Sequence, residues 1–384
     1  MTVVGIVAEY NPFHAGHAHH VRETRRRLGG CAVVAVMSGN FVQRGDCAVL
    51  DKWTRARAAL EGGVDLVLEL PTVWAVSSAE GFARGAVGLL EATGVVGHIS
   101  FGSERDDVDG LQKVAACLDS TAYQAMLRRF LDQGLSFAVC RQAAVRELLG
   151  EEPAGLLSQP NGNLGVEYLR ALSVLGSSIR PMTVLRAGAG HDEGGHPQYP
   201  SASWLRERML ADGAGSDDLA SLSFGERAAL ARLRAMTLED FRALPDGNGG
   251  LTDRLYQAVR RGRTLEEVYA LAKTKRYAHA RIRRMALWGA LGLREADRPG
   301  RPPYLRVLGA NERGREVLRE MRDKAALPVI AKPAHGRGMP LLELEARCTD
   351  FYQLCRRGPG PCGIEWTSSP VMLQRAGRSC HPCK

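Results

Sequence analysis

The chain is lean in aromatic residues, at 6%, and nearly without lysine, since 44 of its 51 Lys and Arg residues are arginine. No apolar run approaches the roughly 18–20 residues that a membrane helix needs, so no membrane partner is expected. The opening Met1–Gly5 has no basic stretch leading into an apolar one, the mark of a secretory leader, and a cytoplasmic location is expected. Internal repeats are missing as well, which excludes a solenoid. What is present is ordinary globular composition, 45% hydrophobic and 24% charged over 384 residues. That excludes a disordered or collagen-like chain and suggests two domains.

Charge divides the chain. Residues 1–200 hold 18 Lys and Arg against 21 Asp and Glu, whereas residues 201–384 hold 33 against 21. A slightly acidic front half joined to a strongly basic back half suits a protein whose second part meets a polyanion. An arginine bias of coding origin would give the same numbers. The nine cysteines, without a leader, read as thiols rather than as a disulfide framework. Five crowd the end: Cys348, Cys355, Cys362, Cys380 and Cys383. The last pair has the C-x-x-C form that can grip zinc, but the spacing of the five fits no familiar ribbon or knuckle, so no metal site is assigned.

The front half alternates strand and helix. Val3–Val7, Cys31–Met37, Val64–Leu70 and Gly97–Phe101 are short apolar runs, separated by helical stretches at Ala15–Leu28, Asp51–Glu61 and Ser78–Thr93. That is the pattern of an α/β, Rossmann-like fold with a parallel sheet covered on both faces. Residues 107–175 read as largely helical, with a Pro- and Gly-rich break at Glu151–Pro160, and Ile179–Arg186 as one more strand. Beyond residue 210 the segments Phe224–Leu233, Leu238–Ala243, Thr252–Arg261, Thr264–Ala272 and Tyr277–Leu291 read as helices, and Tyr304–Leu354 as mixed. Two domains are expected, residues 1–210 and a basic, mainly helical domain over residues 211–384.

In parallel sheets ligands sit beyond the carboxyl ends of the strands. That rule points to Glu9–His17, Ser38–Gly45, Pro71–Ser78 and Gly102–Glu104. The most informative residues there are His14-Ala15-Gly16-His17, at the junction of the first strand and first helix. The unpaired amides and positive dipole end of a helix N-terminus already favour phosphate. Two imidazoles beside them can donate to oxygens that gain charge as an α-phosphorus is attacked, so His14 and His17 are the expected catalytic pair. Gly16 keeps the backbone open for a base or ribose. His19 and His20 lie further along the helix, where position alone suggests the surface.

His14–His17 resembles the HxGH signature of the adenylyl-transferring superfamily that includes class I aminoacyl-tRNA synthetases and pantetheine-phosphate adenylyltransferase. A longer set of segments is similar to the tRNA(Met) cytidine acetate ligase family: Val7–His17, Met37–Gly45, Asp51–Trp53, Gly63–Pro71, Phe101–Glu104, Pro160–Leu169, Arg186–Asp192, Lys273–Tyr277 with Ala280–Ile282, and Pro303–Gly309. The resemblance implies an HxGH nucleotidyltransferase domain over residues 1–210 and a tRNA-binding domain over 211–384. It also implies a ligase with ATP as substrate, which forms acetyl-adenylate from acetate. The acetyl group would pass to N4 of the wobble cytidine, C34, of elongator tRNA(Met), giving N4-acetylcytidine. ATP contacts carry over to Val7, Ala8, Glu9, Tyr10, Asn11, Pro12, Phe13, His14, Ala15, Gly16, His17, Ala18, His19 and His20, and to Gly102, Asn161 and Arg186. Mg2+ can accompany the nucleotide; neither its need nor an oligomeric state is set by the residues.

Further candidates follow from position. Ser201–Arg206 resembles the serine-and-arginine signature with which related transferases hold the β- and γ-phosphates, through Ser203 and Arg206; a helix cap and a surface arginine are the alternative. Arg44 overhangs the expected crevice and is a candidate partner for acetate or for the adenylate phosphate. Glu104 lies where a ribose contact could form. Lys273, Lys275 and Arg276 form either a basic loop closing on the triphosphate or, with Arg281 and Arg284 following on the same helical stretch, part of the tRNA path, which is the preferred reading. Two rival functions share some of these features: an HxGH adenylyltransferase making a nucleotide coenzyme without RNA, which leaves the basic back half unexplained, and a non-catalytic RNA-binding protein.

Overall fold

The computed structural model of the protein describes residues 1–186, 200–212 and 216–374. Among these, ten strands follow one another as β1 (Val3–Ala8), β2 (Ala32–Ser38), β3 (Phe41–Val42), β4 (Asp46–Cys47), β5 (Leu66–Leu70), β6 (His98–Ser103), β7 (Arg180–Leu185), β8 (Leu305–Ala310), β9 (Val329–Ile330) and β10 (Val371–Met372). Eight of them form one sheet in the order β10-β8-β5-β2-β1-β6-β7, with β9 beside β8, while β3 and β4 form a separate hairpin. The pairs β5–β2, β2–β1, β1–β6 and β6–β7 are parallel. The chain builds outward from β1 to β2 and β5, then crosses back to set β6 on the other side of β1. Such a reversal of direction opens a crevice at the carboxyl ends of the two central strands.

The runs of apolar residues form central strands because helices cover both of their faces. On β2, Val33, Ala35 and Met37 pack with Val21, Ala56, Ala59 and Leu60 of the helices Ala15–Arg27 and Lys52–Glu61. The alternate residues Ala32, Val34 and Val36 face the opposite core, which holds Phe82, Ala83, Ala86, Val87 and Leu90 of the helix Ala79–Ala92. Successive side chains of a strand point to opposite faces, so an unbroken apolar run serves both layers. Gly5 marks the closest approach: a Cβ there would lie 2.6 Å from the Leu90 side chain. The helices start where polar side chains can accept from a free amide. Asp51 Oδ1 accepts from Thr54 N at 2.7 Å, and Asp107 Oδ1 from Gly110 N at 2.8 Å.

Two expectations need correction. The break expected at Glu151–Pro160 contains a helix, Glu151–Leu156. Pro153 lies in its first turn, where the missing N–H has no intrahelical partner to lose. More consequentially, the division at residue 210 does not follow the sheet. β8 pairs antiparallel with β5, covering an edge that would otherwise expose unpaired amides and carbonyls, and β10 pairs with β8. The basic back half therefore supplies strands to the front half's sheet, besides its helices Glu226–Ala235, Leu251–Arg261, Leu265–Ala272 and His279–Leu291. Trp288 of that last helix is fully buried, and its Nε1 donates to Val76 O at 2.6 Å.

Candidate active site

A cavity of about 420 Å³ opens at the carboxyl ends of β1, β6 and β7. It gathers Val7, Ala8, Glu9, Tyr10, Asn11, His14, Gly16, His17, His19 and His20 from the first junction, with Gly102, Asn161 and Arg186 from later segments. Arg44 and Arg206 line it too, as do the apolar Ile6, Phe82, Leu164 and Tyr168. Of the expected nucleotide contacts, Pro12, Phe13, Ala15 and Ala18 fall outside the lining. Ser203 also lies outside it, but its Oγ accepts from Arg206 Nη2 at 3.0 Å. Residues 187–199, among them His191 and Asp192, lie outside the described residues, as do Cys380 and Cys383.

The twin histidines are locked by the turn itself. His14 is the N-cap of the helix Ala15–Arg27, in extended conformation, and its Nδ1 accepts from Gly16 N at 3.1 Å. His17 Nδ1 accepts from His14 N at 3.3 Å. The two rings stack with centroids 3.8 Å apart, and Tyr10 and Phe13 brace His17 at 4.9 and 5.5 Å. With Nδ1 accepting a main-chain N–H, each neutral imidazole carries its proton on Nε2, and that N–H remains as a donor. Gly16 is needed for a reason more specific than openness, because a Cβ there would meet His14 Cε1 at 3.0 Å.

Electrostatics keep these rings neutral. Burial, with Arg186 and Arg206 nearby, pushes the His14 imidazole down to about 4. Burial, followed by His14, His20 and Arg186, holds His17 well below the ordinary 6.5. His20 corrects the surface placement: it lines the cavity, its Nε2 lies 2.9 Å from Ser100 Oγ, and burial brings it to about 4. The crevice thus holds three neutral imidazoles beside arginines, an environment that disfavours further positive charge and favours an anion.

The surrounding frame explains why the arginines converge. Gly102 lets the Arg186 stem lie across the end of β6, since a Cβ there would be 3.3 Å from Arg186 Cγ. Arg206 projects from the helix Ala202–Asp212, and its Nη1 donates to Asn11 O at 2.7 Å. Ser201, not Ser203, caps this helix, its Oγ accepting from Trp204 N at 3.2 Å. Glu104 does not face a free space for a sugar: its Oε1 accepts from Asn161 Nδ2 at 2.5 Å, and both Asn161 and Asn163 reach the cavity. A residue that sequence reasoning missed is Arg55. Fully buried, it donates to Glu9 O at 2.6 Å, Ser38 O at 3.1 Å and Leu50 O at 2.9 Å, tying the ends of β1 and β2 together. The available signal was its place on the inward stripe with Ala56 and Ala59.

The basic stretch behaves differently. None of Lys273, Lys275, Arg276, Arg281 and Arg284 lines the cavity. Arg281 donates to Asp246 O and Asn248 O, both at 2.8 Å, and Arg284 pairs with Asp246 at 3.3 Å. Lys273 Nζ donates to Tyr277 O. Lys275 and Arg276 are exposed. The helix carrying Arg281 and Arg284 also abuts the crevice loop, because a Cβ on Gly45 (φ 76°) would strike Arg284 N at 2.5 Å, and Arg283 pairs with Asp46 at 2.5 Å.

Paired histidines at a helix N-terminus, beside the switch point of a parallel sheet, fit a site for a nucleotide's phosphates. Residues 1–360 match the HIGH Nucleotidyl Transferase family, and the chain belongs to it. Narrower matches follow. The tRNA(Met) cytidine acetate ligase of Clostridium botulinum (strain Langeland) is 36% identical over 387 residues, covering 92% of this chain and 94% of that protein. The enzyme of the same name from Thermoanaerobacter sp. (strain X514) is 35% identical over 413 residues, covering 97% and 100%. The crystal structure of Thermotoga maritima TmcAL bound with alpha-thio ATP is similar with a TM-score of 0.88 at 33% identity, covering 97% of this chain and all of that one. The chain is a member of the tRNA(Met) cytidine acetate ligase family. No described helix is long and apolar enough to cross a membrane.

Proposed function

We propose that this chain activates acetate with ATP and acetylates N4 of the wobble cytidine of elongator tRNA(Met) in the cytoplasm. The observation that carries the reading is the pair of stacked, neutral imidazoles at a helix N-terminus, facing a cavity that Arg44, Arg186 and Arg206 also line. ATP lies with its phosphates against His14, His17 and the positive dipole end of that helix. An acetate oxygen attacks the α-phosphorus in line, the bond to the bridging oxygen breaks, and pyrophosphate leaves. The Nε2–H groups of His14 and His17 donate to oxygens whose charge grows in that transition state. Arg206, held by Asn11 O and Ser203 Oγ, neutralises the departing phosphates. The cytidine amine then attacks the acetyl carbon, AMP leaves, and the amine loses a proton.

The stretch Val7–His20, with Gly102, Asn161 and Arg186, forms the nucleotide site in this reading, and Arg44 meets the carboxylate or adenylate. Lys275 and Arg276, with Lys273 beside them, belong to the tRNA path, while Arg281 and Arg284 shape the loop at 246–248 that supports it. Mg2+, where it takes part, would enter on the phosphates of ATP. The test is incubation with ATP, labelled acetate and unmodified tRNA(Met), followed by digestion of the RNA. A labelled acetylcytidine, lost in His14→Ala, is expected. Coenzyme-type adenylyl transfer with no labelled nucleoside would overturn the reading.

A further inference from the structure

The helices Thr121–Leu131 and Phe137–Leu149 form a hairpin whose tip exposes an unusual surface. Leu131, Leu135, Phe137 and Val139 are 39, 44, 54 and 50% exposed within nine consecutive residues. In a chain with few aromatics, Phe137 is the most exposed Phe, Tyr or Trp among the described residues. None of these residues lines the nucleotide cavity. The setting is cationic. Arg128 and Arg129 are exposed on the last turn of the first helix, and the tip meets the basic segment of the back half, since a Cβ on Gly134 would lie 3.7 Å from Arg276 Nη2. Lys273, Lys275 and Arg276 are exposed there, against a single acid, Asp132, in the tip.

An exposed ring flanked by guanidinium and ammonium groups matches the chemistry of unpaired RNA. Bases splayed from a loop stack on aromatic faces while the backbone phosphates meet Arg and Lys. A buried apolar core would not require the five cations, and a purely electrostatic platform would not require Phe137. We propose that the tip at residues 131–139, joined to Lys275 and Arg276, is a stacking platform for an unpaired nucleotide of the tRNA loop. The proposal rests on the acetylation reading above. It adds a region from the front half of the chain, where the charge pattern gives no sign of RNA.

The test uses the full chain with Phe137→Ala and Phe137→Trp variants. Acetate-dependent exchange of pyrophosphate into ATP, run without RNA, reports the nucleotide site; acetylation of tRNA(Met) reports the platform. Phe137→Ala is expected to leave exchange unchanged and to raise the KM for tRNA by about tenfold, with its salt dependence unchanged. Phe137→Trp keeps the ring and is expected to restore the KM. A double Lys275→Ala/Arg276→Ala variant instead flattens the salt dependence of tRNA binding. A wild-type KM in Phe137→Ala would overturn the platform, and so would a change of oligomeric state in that variant without a change of KM, which would make the tip a contact between copies of the chain. Absence of acetate-dependent exchange in the wild-type protein would strike the parent reading instead, so the two failures are distinct.

Discussion

Two polar regions lie close to the carboxyl ends of the sheet, and they handle charge in opposite ways. In the crevice, three imidazoles stay neutral beside arginines that line an open cavity. Behind the loop Gly39–Asn40 lies a closed cluster: Lys52, Arg306 and Glu365 are 0% exposed, and Glu69 and Glu345 are 2% exposed. There Lys52 Nζ bridges Glu69 and Glu365, each at 2.6 Å, and Arg306 reaches Glu365 at 3.5 Å. Burial works to lower the Lys52 ammonium, yet the carboxylates of Glu365 and Glu69 raise it overall. Charges that find their counter-charges inside the fold are architecture; cations that face a cavity beside neutral donors are arranged for a ligand.

Removing Lys52 should break the comparison most visibly. Lys52→Met leaves Glu69 and Glu365 buried without their shared ammonium, and a loss of about 3–5 kcal/mol is expected from chemical denaturation. Glu365 comes from the helix Ile364–Thr367 and Lys52 from the helix Lys52–Glu61, so the cluster fastens the end of the described chain to the crevice loop. Wild-type stability in Lys52→Met would mean that the cluster is not a fastening.

The crevice should answer in activity rather than in stability. In the proposed mechanism His17→Ala removes one donor to the transition state, and a fall of about 10²–10³ in acetate-dependent pyrophosphate exchange is expected. His14→Ala should act alike and, as a lost N-cap, also cost about 1 kcal/mol of stability. Equal losses of stability from His14→Ala and Lys52→Met would erase the distinction. Gly16→Ala sharpens it. Alanine is favoured over glycine within a helix by about 1 kcal/mol, but its methyl would press on His14 Cε1 at 3.0 Å. A protein at least as stable as the wild type with exchange slowed about tenfold is expected, because small displacements of a catalytic group are costly.

These regions were unequally legible in the sequence. The strand–helix alternation and the HxGH junction carry local signals: apolar runs of strand length, capping residues such as Asp51 and Ser78, and two histidines within one helical turn. The crevice forms where those local elements end, so its members could be named in advance. The buried cluster has no local signal, because Lys52, Glu69, Arg306, Glu345 and Glu365 come from five segments separated by up to most of the chain, and none of these segments shows which of the others it meets. β8 was obscured for a related reason. Its apolar run lies in an arginine-rich half, and only the unpaired edge of β5 gives it a place. His20 was misplaced because its partner, Ser100, belongs to β6, some eighty residues away in the chain.

The pH dependence is the most discriminating test, because the two regions have opposite signatures. His14 falls to about 4 in the folded chain from an ordinary 6.5. Between those values the unfolded chain binds the extra proton, so this group's contribution to stability is present above pH 6.5 and is lost as pH falls towards 4. Glu345 has the reverse sense: burial, then Glu69, raises its carboxyl to about 8 from 4.5, so its contribution is present below pH 4.5 and is lost as pH rises towards 8. Glu345→Gln should therefore gain in thermal stability relative to the wild type between pH 6 and pH 8. The amide can accept from Thr72 N and donate to Thr72 Oγ, the two atoms that now donate to the carboxylate at 2.6 and 2.7 Å. His14→Ala should instead gain relative to the wild type between pH 6.5 and pH 5, after allowing for the lost cap. Melting curves of the three proteins across that range read both slopes. Parallel curves would mean that neither group titrates out of step with the unfolded chain, and the opposite pH signatures of the crevice and the cluster would lose their physical basis.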